Sequence, residues 1–207
     1  SQAEATATTF QTYTITDSDT SGTYTCTLAG TDAADFTASI SGKVCTVVWA
    51  AAPDYDSAAD DGGNNVYDIT LAFSDGTNDL AAQTTAVTVT DVNDQTPAVS
   101  VASTYSQAEA TATTFQTYTI TDSDTTGTYT CTLGGDDAAD FTASISAKVC
   151  TVVWAAAPNY ESPTDDDTDN VYDITIAFSD GTNTLSAQTT AVTVTDTNDQ
   201  TPAVTVA

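Results

Sequence analysis

The chain contains no histidine and no arginine, and its basic side chains are Lys43 and Lys148 alone. That shortage excludes nucleic acid as a partner, because phosphate binding depends on clustered lysine and arginine. It equally disfavours docking to anionic lipid. Without histidine there is no nucleophile with an adjacent imidazole base, and no glycine-rich phosphate cradle stands in the sequence. Zinc is disfavoured too, since CxxC pairs are also missing. No stretch approaches the ~20 consecutive apolar residues of a membrane span.

Acid is what the chain has in excess. Twenty-nine Asp and Glu give a formal charge of −27 over 207 residues. Such a charge repels itself and weakens a compact state unless cations bind or screen it. Hard divalent cations with oxygen ligands, calcium above all, suit that need. Acidic chains are often disordered. Here, however, Val, Ile, Tyr, Phe and Trp recur in alternation, and about a fifth of the residues are threonine, a β-sheet composition.

Self-comparison gives the organisation. SQAEATATTFQTYTITDSDT at 1–20 returns unchanged at 106–125, and KVCTVVWAAAP, NVYDIT, AFSDGTN and AQTTAVTVTD return at the same shift. The differences gather at 56–65 against 161–170 and at 29–33 against 134–138, as expected of loops. The repeats are placed at 1–97 and 98–202. Residues 203–207 repeat the lead-in to the second copy and read as the start of a further one, so the chain reads as a window on a longer tandem array. Tyr67, Ile69, Leu71 and Phe73 alternate with polar residues, as a half-buried strand requires. Further strands fit FQTYTIT, TYTCTL, VCTVVW and TTAVTVTD, with turns at DSDTSG and SDGTN. About seven strands per repeat without a helical period predict an all-β chain of two immunoglobulin-like Greek-key sandwiches. DAADF is expected to form one helical turn.

Five short acidic motifs, in the same order in both copies, resemble those of cadherin repeats, particularly the divergent kind in large bacterial surface proteins. DVNDQTP (91–97) and DTNDQTP (196–202) resemble the linker signature. Asp17/Asp19 and Asp122/Asp124 match the Asp-x-Asp motif. Asp54/Asp56 and Asn159/Glu161 match Asp-x-Glu, Glu4 and Glu109 the base glutamate, and Asp75 and Asp180 the late aspartate. The resemblance implies calcium between consecutive repeats, each supplying half the ligands. At the junction these are Glu4, Asp54, Asp56, Asn93 and Asp94 from the first repeat with Asp122, Asp124 and Asp180 from the second. Asp17, Asp19 and Asp75 form a half-site facing a preceding repeat. Glu109, Asn159, Glu161, Asn198 and Asp199 form one facing a following repeat. There are departures: Gln95 and Gln200 replace an asparagine whose backbone carbonyl the family uses, Asp56 is shorter than the usual glutamate, and Asn159 replaces an aspartate.

Other features are read from their residues. Cys26, Cys45, Cys131 and Cys150 fall at equal spacing in the two copies, and an even count in an acidic β-protein suggests bridges and an oxidising location. Cys26–Cys45 and Cys131–Cys150 are expected, because each unit of an array must close on itself. Cadherin repeats usually lack this pair. Trp49 and Trp154 lie in apolar strands and are expected in the core rather than as sugar-stacking platforms, while Lys43 and Lys148 belong in turns. DDDTDN at 165–170 reads as a solvated loop, with a separate ion as the rarer alternative. The threonines read as an exposed β-face that also offers O-glycosylation sites, and no Asn-x-Ser/Thr sequon occurs.

Together these readings describe a calcium-stiffened structural module of an extracellular, cell-surface filament or giant adhesin, with further copies joined head to tail. The alternative is an adhesion module that binds carbohydrate or another surface protein. Paired carboxylates serve glycosidases, but here the calcium motifs already account for them, so no enzyme is expected. Tandem covalent repeats and assembly by strand donation both fit the sequence.

Overall fold

A computed structural model describes residues 1–5, 9–110 and 114–205. The last two positions of the expected further repeat, 206 and 207, lie outside the described residues. The chain divides into two compact units, Ser1–Val92 and Asn93–Ala207, so the division falls inside the DVNDQTP segment. Among the described residues no helix is long and apolar enough to cross a membrane.

The first unit contains β1 (Gln2–Ala3), β2 (Thr9–Thr14), β3 (Thr25–Ala29), β4 (Phe36–Ser41), β5 (Val44–Trp49), β6 (Val66–Ser74) and β7 (Asp79–Thr90). The second repeats the plan with β8 (Thr104–Ala108), β9 (Thr114–Thr119), β10 (Thr130–Gly134), β11 (Phe141–Ser146), β12 (Val149–Trp154), β13 (Val171–Ser179) and β14 (Thr184–Thr195). Each unit is a sandwich of a four-stranded sheet, β1-β7-β6-β3 or β8-β14-β13-β10, and a three-stranded one, β2-β5-β4 or β9-β12-β11. Neighbouring strands run antiparallel except the first of each unit, which lies parallel to the last: Gln2 pairs with Val89 and Gln107 with Val194. The expected helical turn is a single 3-10 turn, Ala33–Asp35 and Ala138–Asp140.

Alternation along the strands becomes inside and outside of the sandwich, because successive side chains point to opposite faces. Tyr67, Ile69, Leu71 and Phe73 are buried, as are Tyr172, Ile174, Ile176 and Phe178. The tryptophans are core residues: each is 6% exposed, and Trp49 stacks 4.2 Å from Phe36 and meets Tyr67 edge-on at 4.9 Å. The second unit reproduces both ring distances. Each indole N–H donates to a glutamine of the unit's first strand, Gln2 Oε1 at 2.9 Å or Gln107 Oε1 at 3.2 Å, so neither indole donor is left bare.

Both expected disulfides are present. Cys26 on β3 is bonded to Cys45 on β5, and Cys131 on β10 to Cys150 on β12. Each therefore ties the four-stranded sheet to the three-stranded one. The buried Asp32 carboxylate ties loops in a similar way, accepting N–H bonds from Asp61 (2.7 Å) and Asp68 (2.6 Å). Asp137 does the same with Asp166 and Asp173.

Candidate metal centre

In the second unit the acidic turns are held by short local hydrogen bonds. Asp122 Oδ1 accepts from the Asp124 N–H at 3.2 Å, and its Oδ2 from the Tyr129 hydroxyl at 3.0 Å. Lys148, in the β11–β12 turn, donates to the Asp122 and Asp124 carbonyls at 2.9 and 3.3 Å while lying 5.2 Å over the Tyr129 ring. Asp180, in the turn between β13 and β14, accepts N–H bonds from Thr182 (2.7 Å) and Asn183 (2.6 Å). Burial opposes ionisation of Asp180, but these N–H groups and the Asn183 amide outweigh it and hold the carboxyl below its ordinary value.

These turns bring Asp122, Asp124 and Asp180 together, each offering a carboxylate oxygen within 4.8 Å of the others. Asp124 and Asp180 are each 1% exposed. Residues 93–95 of the linker signature fold over the same group: the Gln95 N–H donates to Asp124 Oδ2 at 2.8 Å. Asn93 Oδ1 lies 3.1 Å from Asp124 Oδ2 and 2.9 Å from Asp180 Oδ2, three acceptors facing one another. Two arrangements relieve that contact. If the Asn93 amide turns over, its nitrogen donates to both carboxylates but forfeits the 3.0 Å bond that Asn183 Nδ2 now gives to Asn93 Oδ1. A cation among the oxygens relieves it with the amide as it stands. The second has further support. Asn183 Nδ2 also donates to the Gln95 carbonyl (2.8 Å) and Asp180 Oδ2 (3.2 Å), so one NH2 group stands where oxygens converge. Asp124 Oδ1 is buried with no hydrogen-bond partner. Carboxylate, amide and backbone oxygens are the donor types that a hard divalent ion takes.

The base glutamates are built alike. Glu4 is buried and takes the N–H groups of Val92 (2.7 Å) and Tyr55 (2.5 Å), one on each oxygen. Glu109 takes those of Thr197 (2.8 Å) and Tyr160 (2.7 Å), which hold its carboxyl below the ordinary range. Glu109, Glu161 and Asp196 gather their carboxylates within 4.8 Å. Although Glu161 is exposed as a residue, desolvation of its carboxyl pushes its pKa up, as does repulsion from Glu109, Asp199 and Asp196.

Several of the remaining expected ligands are engaged in local hydrogen bonds. Asp17 accepts from the Asp19 N–H (2.8 Å) and the Tyr24 hydroxyl (2.9 Å), which hold it below its ordinary value. Asp75 is lowered first by the Asn78 N–H, then by the Asn78 amide and the Thr77 N–H. Among the described residues Asp17, Asp19 and Asp75 form no group as tight as their second-unit counterparts. Asp54 is exposed and spends Oδ1 on the Ser57 N–H, Asp56 is half-buried, and Asp94 Oδ1 accepts from the Gln95 side chain. Asn159 spends Oδ1 on the Glu161 and Ser162 N–H groups. Asp199 accepts from its neighbour Gln200, and Asn198 is exposed. Sequence reasoning missed Asn183, Tyr129, Lys148 and Asp196. Asn183 and Asp196 sit inside repeated acidic motifs and Tyr129 a few residues past one, and the recurrence of SDGTN and of a lone lysine at equal spacing was the available signal.

No protein-family model and no curated protein matches the chain. Solved structures do. The EC1-2 fragment of human protocadherin-24 matches 95% of this chain, and 93% of its own, at 18% identity and a TM-score of 0.70. The fold is that of tandem cadherin repeats. Protocadherin gammaB7 EC3-6, described as a cis-dimer structure, matches 94% of the chain at 20% identity and a TM-score of 0.67. Protocadherin gamma B2 EC3-6 matches 96% at 19% identity and 0.66. The chain spans less than half the length of these last two, 44% and 46%. At such identities the cadherin likeness is one of fold, and the case for a metal rests on the oxygens described above.

Proposed function

We propose that the chain is a calcium-binding structural segment of an extracellular repeat protein, in which ions bound at the ends of successive cadherin-type repeats stiffen a surface filament or adhesin. The observation that carries this reading is the buried, partnerless Asp124 Oδ1 beside Asn93, Asp122 and Asp180. In the second unit Asp122, Asp124, Asp180, the Asn93 side chain and the Gln95 carbonyl would hold an ion. The motif order adds Glu4, Asp54, Asp56 and Asp94 as further ligands where one repeat follows another, and the remaining half-sites, Asp17/Asp19/Asp75 and Glu109/Asn159/Glu161/Asn198/Asp199, serve further repeats. Calcium supplies the positive charge that crowded carboxylates need, so binding is coupled to order. The disulfide in each repeat accords with an oxidising, extracellular setting.

Thermal melts of the chain in millimolar calcium and in excess chelator test the reading. An ion held at ~100 times its dissociation constant adds about 2.7 kcal/mol per site. Calcium is expected to raise the melting midpoint, with a smaller rise in Asp124→Ala and Asp94→Ala. Equal midpoints in calcium and chelator would sink the proposal. Small-angle scattering tests stiffness separately, through loss of a sharply defined maximum dimension on chelation.

A further inference from the structure

The loops preceding β6 and β13 are where the two repeats differ most, and the difference has a chemical direction. Residues 60–65 read DDGGNN, and 165–170 read DDDTDN. In the first repeat the buried Asp60 is fully satisfied: Oδ1 accepts the Asn65 N–H at 2.9 Å and Oδ2 the Asn64 N–H at 3.0 Å. In the second, Asp165 is just as buried, at 3% exposed, yet only Oδ2 has a donor, the Asp169 N–H at 2.7 Å. Its Oδ1 is buried without a hydrogen-bond partner.

Asp167 and Asp169 stand where the first repeat has Gly62 and Asn64. Asp165, Asp167 and Asp169 each offer a carboxylate oxygen within 4.8 Å of the others. The left-handed residues Thr168 (φ 59°) and Asn170 (φ 66°) recur in the first repeat as Gly63 (φ 58°) and Asn65 (φ 61°), so the two loops follow the same backbone path there. It is anchored by the Asp166 N–H on the buried Asp137 (2.7 Å) and by Asn170 Nδ2 on the Tyr160 carbonyl (3.1 Å). Asn170 Oδ1 is partnerless as well, but so is Asn65 Oδ1, so that atom does not distinguish the loops. Asp165 Oδ1 does.

Relative to its twin, the second loop has lost a donor to a buried carboxylate and gained two negative charges. Like charges this close repel one another. The crowding is visible in Asp167, whose pKa is pushed up by desolvation, then by Asp169 and Asp165. Lysine offers no relief, because Lys43 and Lys148 are both spent on the Asp-x-Asp carbonyls.

We propose that loop 165–170 of the second repeat is a separate divalent-cation site, in which Asp165, Asp167 and Asp169 bind calcium. An all-carboxylate donor set on a short, solvent-open loop suits an ion that accepts six to eight oxygens in flexible geometry, with water completing the shell. The site shares no ligand with the Asp122–Asp124–Asp180 centre and is confined to one repeat.

The test is D167G/D169N in the whole chain, which writes the first repeat's Gly62 and Asn64 into the second at positions the fold already accommodates. Equilibrium dialysis against calcium should show one ion fewer per chain than the unmodified protein. Hydrogen exchange gives a local readout: calcium should slow amides at 165–171 but not at 60–66, and the variant should lose that response. The reverse change, G62D/N64D, should gain an ion in the first repeat. An unchanged ion count in D167G/D169N, or equal protection of both loops by calcium, would overturn the proposal. D124N separates it from the function proposed above. If that reading fails, D124N binds as much calcium as the unmodified chain while D167G/D169N still loses one ion.

Discussion

A carboxylate that folds into the interior must be met by donors or by a cation, since an unpaired buried charge is far costlier than a buried polar group. Asp32 and Asp60 are met on both oxygens by backbone N–H groups. Asp124 and Asp165 keep one oxygen bare, and those two sit in acidic groups suited to an ion. Asp32 gives a pH prediction with a definite sign. Burial raises its pKa, but the N–H groups of Asp61 and Asp68 and the Thr31 hydroxyl more than offset this, leaving it below the ordinary value. The stability it contributes is therefore present above the unfolded value of about 4 and lost as pH falls through the lower folded value. Asp32→Asn should lose about 1–3 kcal/mol at neutral pH, because a buried amide nitrogen then faces a backbone donor. Denaturant melts in chelator should show this deficit narrowing towards pH 3, and a pH-independent deficit would contradict the assignment.

At the scale of elements, the β4–β5 and β11–β12 hairpins do two tasks. Their turns carry Lys43 and Lys148, which reach the carbonyls of the Asp-x-Asp motifs, so hairpin geometry reaches the acidic turns directly. The first central residue of each turn is left-handed: Gly42 at φ 59° and Ala147 at φ 51°. Glycine adopts that conformation freely, whereas a Cβ there costs roughly 1–2 kcal/mol. Ala147→Gly should stabilise the second repeat by about 1 kcal/mol, read from its unfolding midpoint. No atom lies within 4 Å of a Cβ built at Gly42, so the penalty belongs to the backbone and not to crowding. The disulfides act across sheets instead of along one. Closing a loop between residues 19 apart is worth about 3 kcal/mol on the chain-entropy model, a sizeable share for a sandwich of this size.

For the whole molecule the governing quantity is −27 charges against two lysines. Self-repulsion on that scale weakens folding wherever screening is poor. In chelator, raising salt from about 0.02 to about 0.5 M should raise the melting midpoint, since the screening length falls from tens of ångströms to a few. In saturating calcium the same change should matter less, because ions bound at the proposed sites would already neutralise the densest clusters. Equal salt responses in both conditions, measured by circular dichroism, would argue that calcium leaves the acidic turns untouched.

Most of the fold was legible because its information is local and periodic. The alternation of Tyr67, Ile69, Leu71 and Phe73 specifies a face, the repeated cysteines imply closure within a unit, and the order of acidic motifs marks the ends of a sandwich. Local patterning is silent on pairings between residues distant in sequence. The parallel pairing of Gln2 with Val89, the Gln2 carbonyl-type oxygen that receives the Trp49 indole, and the lysines bent onto aspartate carbonyls all come from tertiary contact. The same holds for the carboxylates. Sequence determined where acid is dense, but an aspartate in a polar turn and an aspartate buried with a bare oxygen look identical in a string of letters. Only folding decided that Asp60 would find two backbone donors and Asp165 one, because the count of donors depends on where the chain places its amides.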